Sequence, residues 1–578
     1  MSVPSTRLVA LGIQPYGGST FSAVGIVDTI AALKARSVSG LGTGYALSSS
    51  GYYAKGDRGG GLFYYDSTSS ATDDGGSVIQ PTVGAGRWLR VIDQAVNVRW
   101  FGAKGDGATD DIVAINKAVA FLVSKGGGQL YFPAATYMVS TAVLVRDSIE
   151  YFGDGKNSII KARSNSLDNV IHTSGESEYA SYVYGATIRD LTIDGNSANV
   201  SYNTLNAGDP NDAFQNGLRL QRARNFKVER VYFQNIVFNG LSIYFDSQFG
   251  TVRDCYFSTI GKTGTLPAAY SYNAIFLEYA TRFVSVENNY INGTRQAGIL
   301  VQNSSDGYCS DIRLAGNRIY NCVNQGIWCR GVTGATFTFM ENFEISGNTL
   351  QFNSLTASEP AIRFDLATAV PWRSIQIVNN IIKDNGNAGI NMGTGLGTYP
   401  RVLIQGNTIV DNTAGNGIVL TSTVDSAIVV GNVILGNAVA ISDASTNVVN
   451  YMNETGAGSV TPQNLKTSSA AAFATVGLYN AALRSTAIAA VSTTDVTIST
   501  LPVLQGGGLF VVIGDDGLHG FSDLVLFTFG AVAVISSTTA YGSPPARTYS
   551  AAGTACKLRL ASSTLSVRTA QMLALNNA

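Results

Sequence analysis

The stretch LAGNRIYNCVNQGIWCRG (Leu314–Gly331) holds two short alternating segments joined by a polar bend. The first, read with its flank as RLAGNRI, runs into Asn317; the second is led by Gly326 and continues Ile327, Trp328, Cys329, Arg330. A period of two belongs to a strand, so Ile327 and Cys329 share one side while Trp328 and Arg330 share the other. Both segments recur. The first returns as TIRDLTI, KVERVYF, TVRDCYF, SVENNYI, EISGNTL, QIVNNII, LIQGNTI and IVVGNVI. Its fifth position is Leu191, Val231, Cys255, and then Asn289, Asn317, Asn348, Asn380, Asn407 and Asn432. The second returns as NGLRL, NGLSI, NAIFL, AGILV, PAIRF, AGINM, NGIVL and NAVAI. Two interleaved registers with one shared period mean two strands per turn of a coil. A column of stacked asparagines and a glycine-led strand in each turn predict an all-β, right-handed parallel β-helix over residues 96–455. A leucine-rich repeat is excluded by the missing leucine spacing and helical segments.

Composition narrows the function classes. The 578 residues carry 38 basic and 39 acidic side chains, a net charge of -1, and only 13% charged residues. Nucleic acid or a membrane drawn by bulk charge is therefore not expected as a partner. Five cysteines without CxxC spacing read as reduced core residues, and neither a metal nor a cofactor is expected. With His172 and His519 as the only histidines, carboxylates are the natural acids and bases. The N-terminus has no basic segment followed by an apolar run, so the chain is expected to be made in the cytoplasm without a signal peptide.

The flanks have their own patterns. In GDGATDDIVAINKAVAFLVSKGGGQLYF (Gly105–Phe132), Thr109 or Asp110 is placed to cap a helix whose Ile112, Ile115, Val119 and Leu122 share a face, a lid for the first turn of the coil. Residues 456–478 read as a small-residue linker, and 479–578 as antiparallel strands of a β-sandwich that trimerises the chain, binds carbohydrate, or both. Two polar excursions, Asp194–Gln215 and Ser258–Tyr272, read as binding loops on a rigid scaffold.

The block FGAKGDGATDD followed by GGGQLYFPAATY and the repeats resembles the pectate-lyase-like β-helix superfamily as found in bacteriophage tailspikes. Upstream, Ser48–Asp93 resembles the N-terminal module of capsule-degrading tailspikes, notably of phages infecting encapsulated enterobacteria such as Klebsiella. The likeness spans roughly residues 40–450. It implies a homotrimer, a virion location, and endo-acting cleavage of a host capsular or O-antigen polysaccharide. The module at 1–95 is short for a full virion anchor, which suggests docking onto another phage tail protein.

Outward positions of the glycine-led strands supply the chemistry. One column reads Arg219, Ser242, Phe276, Leu300, Trp328, Arg363 and Asn391; the next reads Gln221, Tyr244, Glu278, Gln302, Arg330 and Asp365, with Asp246 in a third. Aromatic faces suit sugar rings and arginine forks suit carboxylates. With rungs about 4.8 Å apart and alternate residues about 6.7 Å apart, Glu278 and Asp246 lie roughly 8 Å apart, inside the window for an inverting glycosidase. The expectation is Glu278 as acid and Asp246 as base, with Trp328, Tyr244, Phe276, Arg330, Arg363, Arg219, Gln302 and Asp365 binding substrate. A lyase using Tyr244 with Arg219 or Arg330, and a non-cleaving fibre, are the alternatives. Arg189, Glu229, Arg253 and Glu287, with Asp254, form a second candidate face.

Overall fold

The computed structural model describes residues 25–455, except for 165, 167, 174–180, 202–214, 262–271, 304–306, 308, 332–339, 356–358, 367–370, 396–397, 413–414 and 446, and beyond them the backbone of strands between Asn464 and Leu575. Three long sheets run the length of the coil. Sheet I has 11 strands, from Val143–Leu144 to Ile441–Asp443; sheet II has 16 and sheet III has 12. One turn is Lys227–Glu229 in sheet II, Tyr232–Ile236 in sheet III and Leu241–Tyr244 in sheet I, before Gln248–Arg253 re-enters sheet II. Each turn therefore has three strands where the sequence pattern showed two. Sheets II and III together make up the first register, split by a two-residue corner.

That corner explains the motif. Its fourth position is left-handed in every turn, at Asp190, Arg230, Asp254, Asn288, Gly316, Gly347, Asn379, Gly406 and Gly431. Glycine, asparagine and aspartate tolerate this conformation, and they fill all but one of these sites. The following asparagine turns inward and builds a ladder. Asn348 Nδ2 donates to Asn380 Oδ1 at 2.9 Å and to the Leu314 carbonyl at 2.8 Å, and its Oδ1 accepts from the Asn317 backbone at 2.8 Å. The same geometry runs from Asn289 to Asn453, one member beyond the sequence pattern. Two further ladders, Asn353–Asn385–Asn412–Asn437 and Asn169–Asn216–Asn239–Asn273, were not visible as repeats. Between the sheets lies one dry core, with columns such as Ile188, Val228, Val252 and Val286 in register. Cys255, Cys309, Cys322 and Cys329 are unpaired and buried in it, as expected for packing residues.

The helix Ile112–Ser124 buries Ile112, Ile115, Ala118, Val119 and Leu122 in that same core. Its N-cap residue is Asp111, not Thr109 or Asp110. The Asp111 carboxylate accepts instead from the backbone of Lys104 and Gly105, tying down the GDGATDD turn. N-terminal to it, a five-stranded sheet and the helix Ile30–Ala35 enclose a small core around Phe63, Ile79 and Trp88. Buried Arg90 stacks on Phe63 at 4.4 Å and on Trp100 at 4.9 Å, joining module to coil. Within the span expected as linker, Asn464–Lys466 forms an antiparallel strand on Asn447–Tyr451. Beyond it, the described strands form antiparallel sheets of five and three strands.

Candidate functional site

Sheet I carries the predicted columns in register. Arg219, Ser242, Phe276, Leu300, Trp328, Arg363 and Asn391 pair rung to rung, as do Gln221 with Tyr244 and Glu278 with Gln302, Arg330 and Asp365. His172, in a strand before the first recognisable repeat, heads the first column one rung below Arg219. The expected sidedness holds: Ile327 and Cys329 are fully buried in the core, and Trp328 and Arg330 face away from it.

Facing away from the core does not make this stripe exposed. Arg219, Tyr244, Phe276 and Glu278 are 6%, 5%, 3% and 3% exposed, whereas Trp328, Arg330, Arg363, Gln302 and Asp365 are half-buried. Tyr244, Phe276, Ala297 and Leu300 form a second apolar cluster outside the coil, with Phe245, Tyr279 and Trp328 against it. Phe276 meets Tyr244 edge-on at 5.4 Å and has no face left for a ligand, so it is a packing residue and not the platform expected.

Glu278 stands at the junction of the closed and open parts. Gln302 Nε2 donates to its Oε1 at 2.5 Å, and its buried Oε2 has no hydrogen-bond partner. Burial pushes its carboxyl up to about 8, against the opposing pull of Gln302, Arg330 and Arg219. It is protonated at neutral pH. Burial and Glu278 together keep the Tyr244 hydroxyl neutral far beyond its usual range, with Arg219, 5.2 Å over its ring, opposing. Further buried polar atoms without partners line the same face, among them Gln221 Nε2, both side-chain heteroatoms of Asn303 and Asn391 Oδ1. Such atoms are costly to leave unmatched and mark a polar cleft.

Toward the open end, Trp328 is flanked by the guanidinium groups of Arg330 at 5.0 Å and Arg363 at 5.6 Å. Its indole N–H donates to Asp365 Oδ2 at 3.1 Å, and Arg363 Nε lies 3.0 Å from the same oxygen. Burial raises the Asp365 carboxyl, with Arg363, Trp328 and Arg330 opposing. Arg363 and Asp365 therefore form an ion pair.

Asp246 is placed differently from expectation. The chain turns at Phe245 and Asp246, both left-handed, so Asp246 is not in a third column of sheet I but at the corner leading into sheet II. There it accepts from Tyr182 at 2.7 Å, Arg224 at 2.5 Å, Arg282 at 3.0 Å and Gln248. Burial alone would raise its carboxyl; these four donors hold it below the usual range instead. A carboxylate so stabilised is a poor proton acceptor. The cluster was legible in retrospect, because aligning QRARNF, DSQFG and ATRFV puts Arg224, Gln248 and Arg282 in one column.

The second candidate face is an ion-pair ladder. Arg189, Glu229, Arg253 and Glu287 stack in register on sheet II. Arg253 binds Glu229 at 3.0 Å, Arg189 binds Asp190 and Glu150, and Glu287 binds Arg313. Its charges neutralise one another, which suits a solvated surface. Asp254 sits at a corner of this ladder. Among the described residues, no three of His, Cys, Asp and Glu converge as metal ligands.

Residues 95–275 match the family described as rhamnogalacturonase A/epimerase, pectate lyase-like, and residues 272–455 match the right handed beta helix region. The coil is thus a right-handed, pectate-lyase-like β-helix. Residues 26–93 match the phage tail protein small four-stranded beta-sheet domain, so the resemblance to phage tailspikes extends into the N-terminal module. The tailspike of Acinetobacter phage vB_ApiP_P1 shares the fold, with a TM-score of 0.51 and 14% identity over 96% of this chain and 100% of that one. Mannuronan C5-epimerase AlgE4 of Azotobacter vinelandii is 34% identical over 112 residues, 18% of this chain and 20% of that protein. The pre-neck appendage protein of Bacillus phage B103 is 26% identical over 159 residues, 27% of this chain and 18% of that protein. The chain spans about a fifth of the length of these curated relatives.

Proposed function

We propose that this protein is a phage tailspike that binds and depolymerises a bacterial capsular polysaccharide in the sheet I cleft. The observation that carries the reading is Glu278: a buried carboxyl that keeps its proton at neutral pH, with one oxygen held by Gln302 and the other unmatched. It lies in a stripe of arginines and aromatic rings, on a phage-tail-like module and a pectate-lyase-like coil. Assembly as a homotrimer, attachment to another tail protein through residues 1–95, and a catalytic coil at 96–455 ahead of a C-terminal unit belong to the same proposal.

The inverting hydrolase expected from sequence loses its base. Asp246 is engaged by four donors, and the next carboxylate along the Glu278 column, Asp365, is three rungs or roughly 14 Å away. Elimination, the alternative, needs groups that neutralise a uronate carboxylate, and these the stripe supplies. A uronate placed on the stripe has its carboxylate neutralised by Arg330 and by the proton of Glu278, which acidifies C5–H. Because the Tyr244 hydroxyl is buried and held neutral, it keeps its proton, so the C5 proton passes to solvent water and the departing O4 takes one from it. The C4–O4 bond breaks, leaving a C4=C5 double bond and a new reducing end. A mannuronan C5-epimerase among the relatives supports a uronate-handling ancestry.

Two measurements check this reading. Digestion of a uronate-containing capsule should raise absorbance near 235 nm with each cut; reducing ends without that absorbance restore the hydrolase. Because the protonated form of Glu278 is the working one, kcat/KM should hold through neutral pH and fall about tenfold per unit above about 8. Activity that climbs steadily past pH 9 rules out that role. Replacing Trp328 with alanine removes the plane between Arg330 and Arg363, so KM should rise roughly tenfold, with a smaller change in melting temperature. A large loss of stability with unchanged KM makes Trp328 a packing residue.

A further inference from the structure

The corner beside the Glu278 column is built for an anion. Arg224 and Arg282 meet there on one carboxylate, Asp246, and the guanidinium groups of Arg222 and Arg224 lie over the Tyr182 ring at 5.8 and 4.3 Å. Among the described residues, two further carboxylates are near this corner. Asp147 accepts from the Tyr184 backbone, and Asp311, one rung on, is held by Ser310 and Asn342. Asp147 and Asp311 are thus held by other groups, Asp246 pairs with Arg224 and Arg282, and among the described residues no carboxylate lies within ion-pair reach of Arg222. The Nε atoms of Arg222 and Arg224 are buried without a hydrogen-bond partner, and Gln221, 4% exposed and next in the chain to Arg222, has its Nε2 unmatched. Donors without acceptors, beside a guanidinium without a carboxylate, call for a ligand that brings oxygen lone pairs and negative charge.

The geometry points to this corner, Tyr182, Arg222, Arg224 and Arg282 with Asp246 as their organiser, as a subsite for a carboxylate carried by the bound polysaccharide, one sugar residue away from the bond that is cut. Asp246 orients Arg224 and Arg282 and is not consumed in the reaction. The half-buried Arg222 lies on the neighbouring rung with its Nε unmatched, and its planar donors match a carboxylate bidentately. The corner begins one residue beyond the Glu278 column at Arg222 and ends four beyond it at Arg282, so Asp246, two residues on, lies roughly 7 Å from that column along the chain. The substrate is therefore an acidic polysaccharide, with carboxylates on uronate rings or as pyruvate ketals. Arg330 would engage one of these carboxylates and the corner another, which sets the register of the chain in the cleft.

This inference rests on the cleft being the polysaccharide site. It is tested with the full-length protein carrying Glu278→Gln, so that binding is read without cleavage. The probes are a panel of acidic bacterial capsular polysaccharides, each paired with its carboxyl-reduced form, with dextran as the neutral reference. Binding should fall at least tenfold on carboxyl reduction and should weaken with salt. Adding Arg222→Gln should cost roughly tenfold or more against the native acidic polymer and leave binding to its carboxyl-reduced form unchanged, which a merely structural role of Arg222 cannot produce. Arg224→Gln should do the same unless it unfolds the corner, so Arg222 is the deciding variant. Equal affinity for native and reduced polymers, binding to neutral polysaccharide alone, binding to none of the panel, or an Arg222→Gln loss of equal size on both forms overturns the subsite. The two readings fail separately. Cleavage of a neutral polymer removes the subsite and keeps the depolymerase, whereas carboxylate-dependent binding without cleavage by the unmutated protein keeps the subsite and removes the enzyme.

Discussion

Glu278→Gln is expected to abolish depolymerisation and, at the same time, to make the protein more stable at neutral pH. The amide keeps the shape and still accepts from Gln302, but it has no proton to share, so kcat should fall by about 10²- to 10⁴-fold. The stability effect has the opposite sign for a clear reason. In the unfolded chain a glutamate ionises above about 4.5; in the folded protein burial holds this one neutral up to about 8. A folded-state value raised above the unfolded one gives stability that is complete below about 4.5 and is lost as pH climbs toward 8. At pH 7 that loss is about 3 kcal/mol, and glutamine does not suffer it. Chemical denaturation of the two proteins should thus coincide near pH 4 and separate at pH 7, with the variant the more stable. A variant that is active, or less stable at pH 7, would show that Glu278 is ionised in the cleft and is not the proton-holding group.

Truncating the ladder at Asn348 is expected to cost about 3 to 6 kcal/mol, because Asn348→Ala strands two donors of Asn317 and the Leu314 carbonyl in a dry interior. Asn321→Ala provides the comparison. Its amide bridges only to Asn292 on the exposed corner, at 2.7 Å, and its loss should cost under about 0.5 kcal/mol. Urea denaturation followed by far-ultraviolet circular dichroism measures both. Near-equal effects would mean that the core asparagines are satisfied by water instead of by one another.

Much of the site was legible residue by residue and illegible as an environment. Alternation assigned Trp328, Arg330, Arg363 and Asp365 to one stripe, and their register is as expected, because a strand's period of two leaves no freedom of side. It could not show that Phe276 and Tyr244, on the same stripe, are covered, since burial on the outer face depends on what folds over it. Asp246 was misplaced for a related reason. Spacing treats GLSIYFD as one straight strand, whereas two successive left-handed residues bend it at Phe245, and an aspartate expected to face Glu278 turns to Arg224 and Arg282.

By itself the sequence determined the parallel β-helix, its capping helix and the inward and outward columns. These depend on local periodicity, on the asparagine ladder and on residues that accept a left-handed corner, all of which are written along the chain. Only the tertiary structure decided which outward residues are reachable, that Glu278 keeps a proton, and that two arginines from separate turns, Arg224 and Arg282, converge on Asp246. Desolvation and charge clustering are sums over residues 20 to 60 positions apart, and no local pattern contains them.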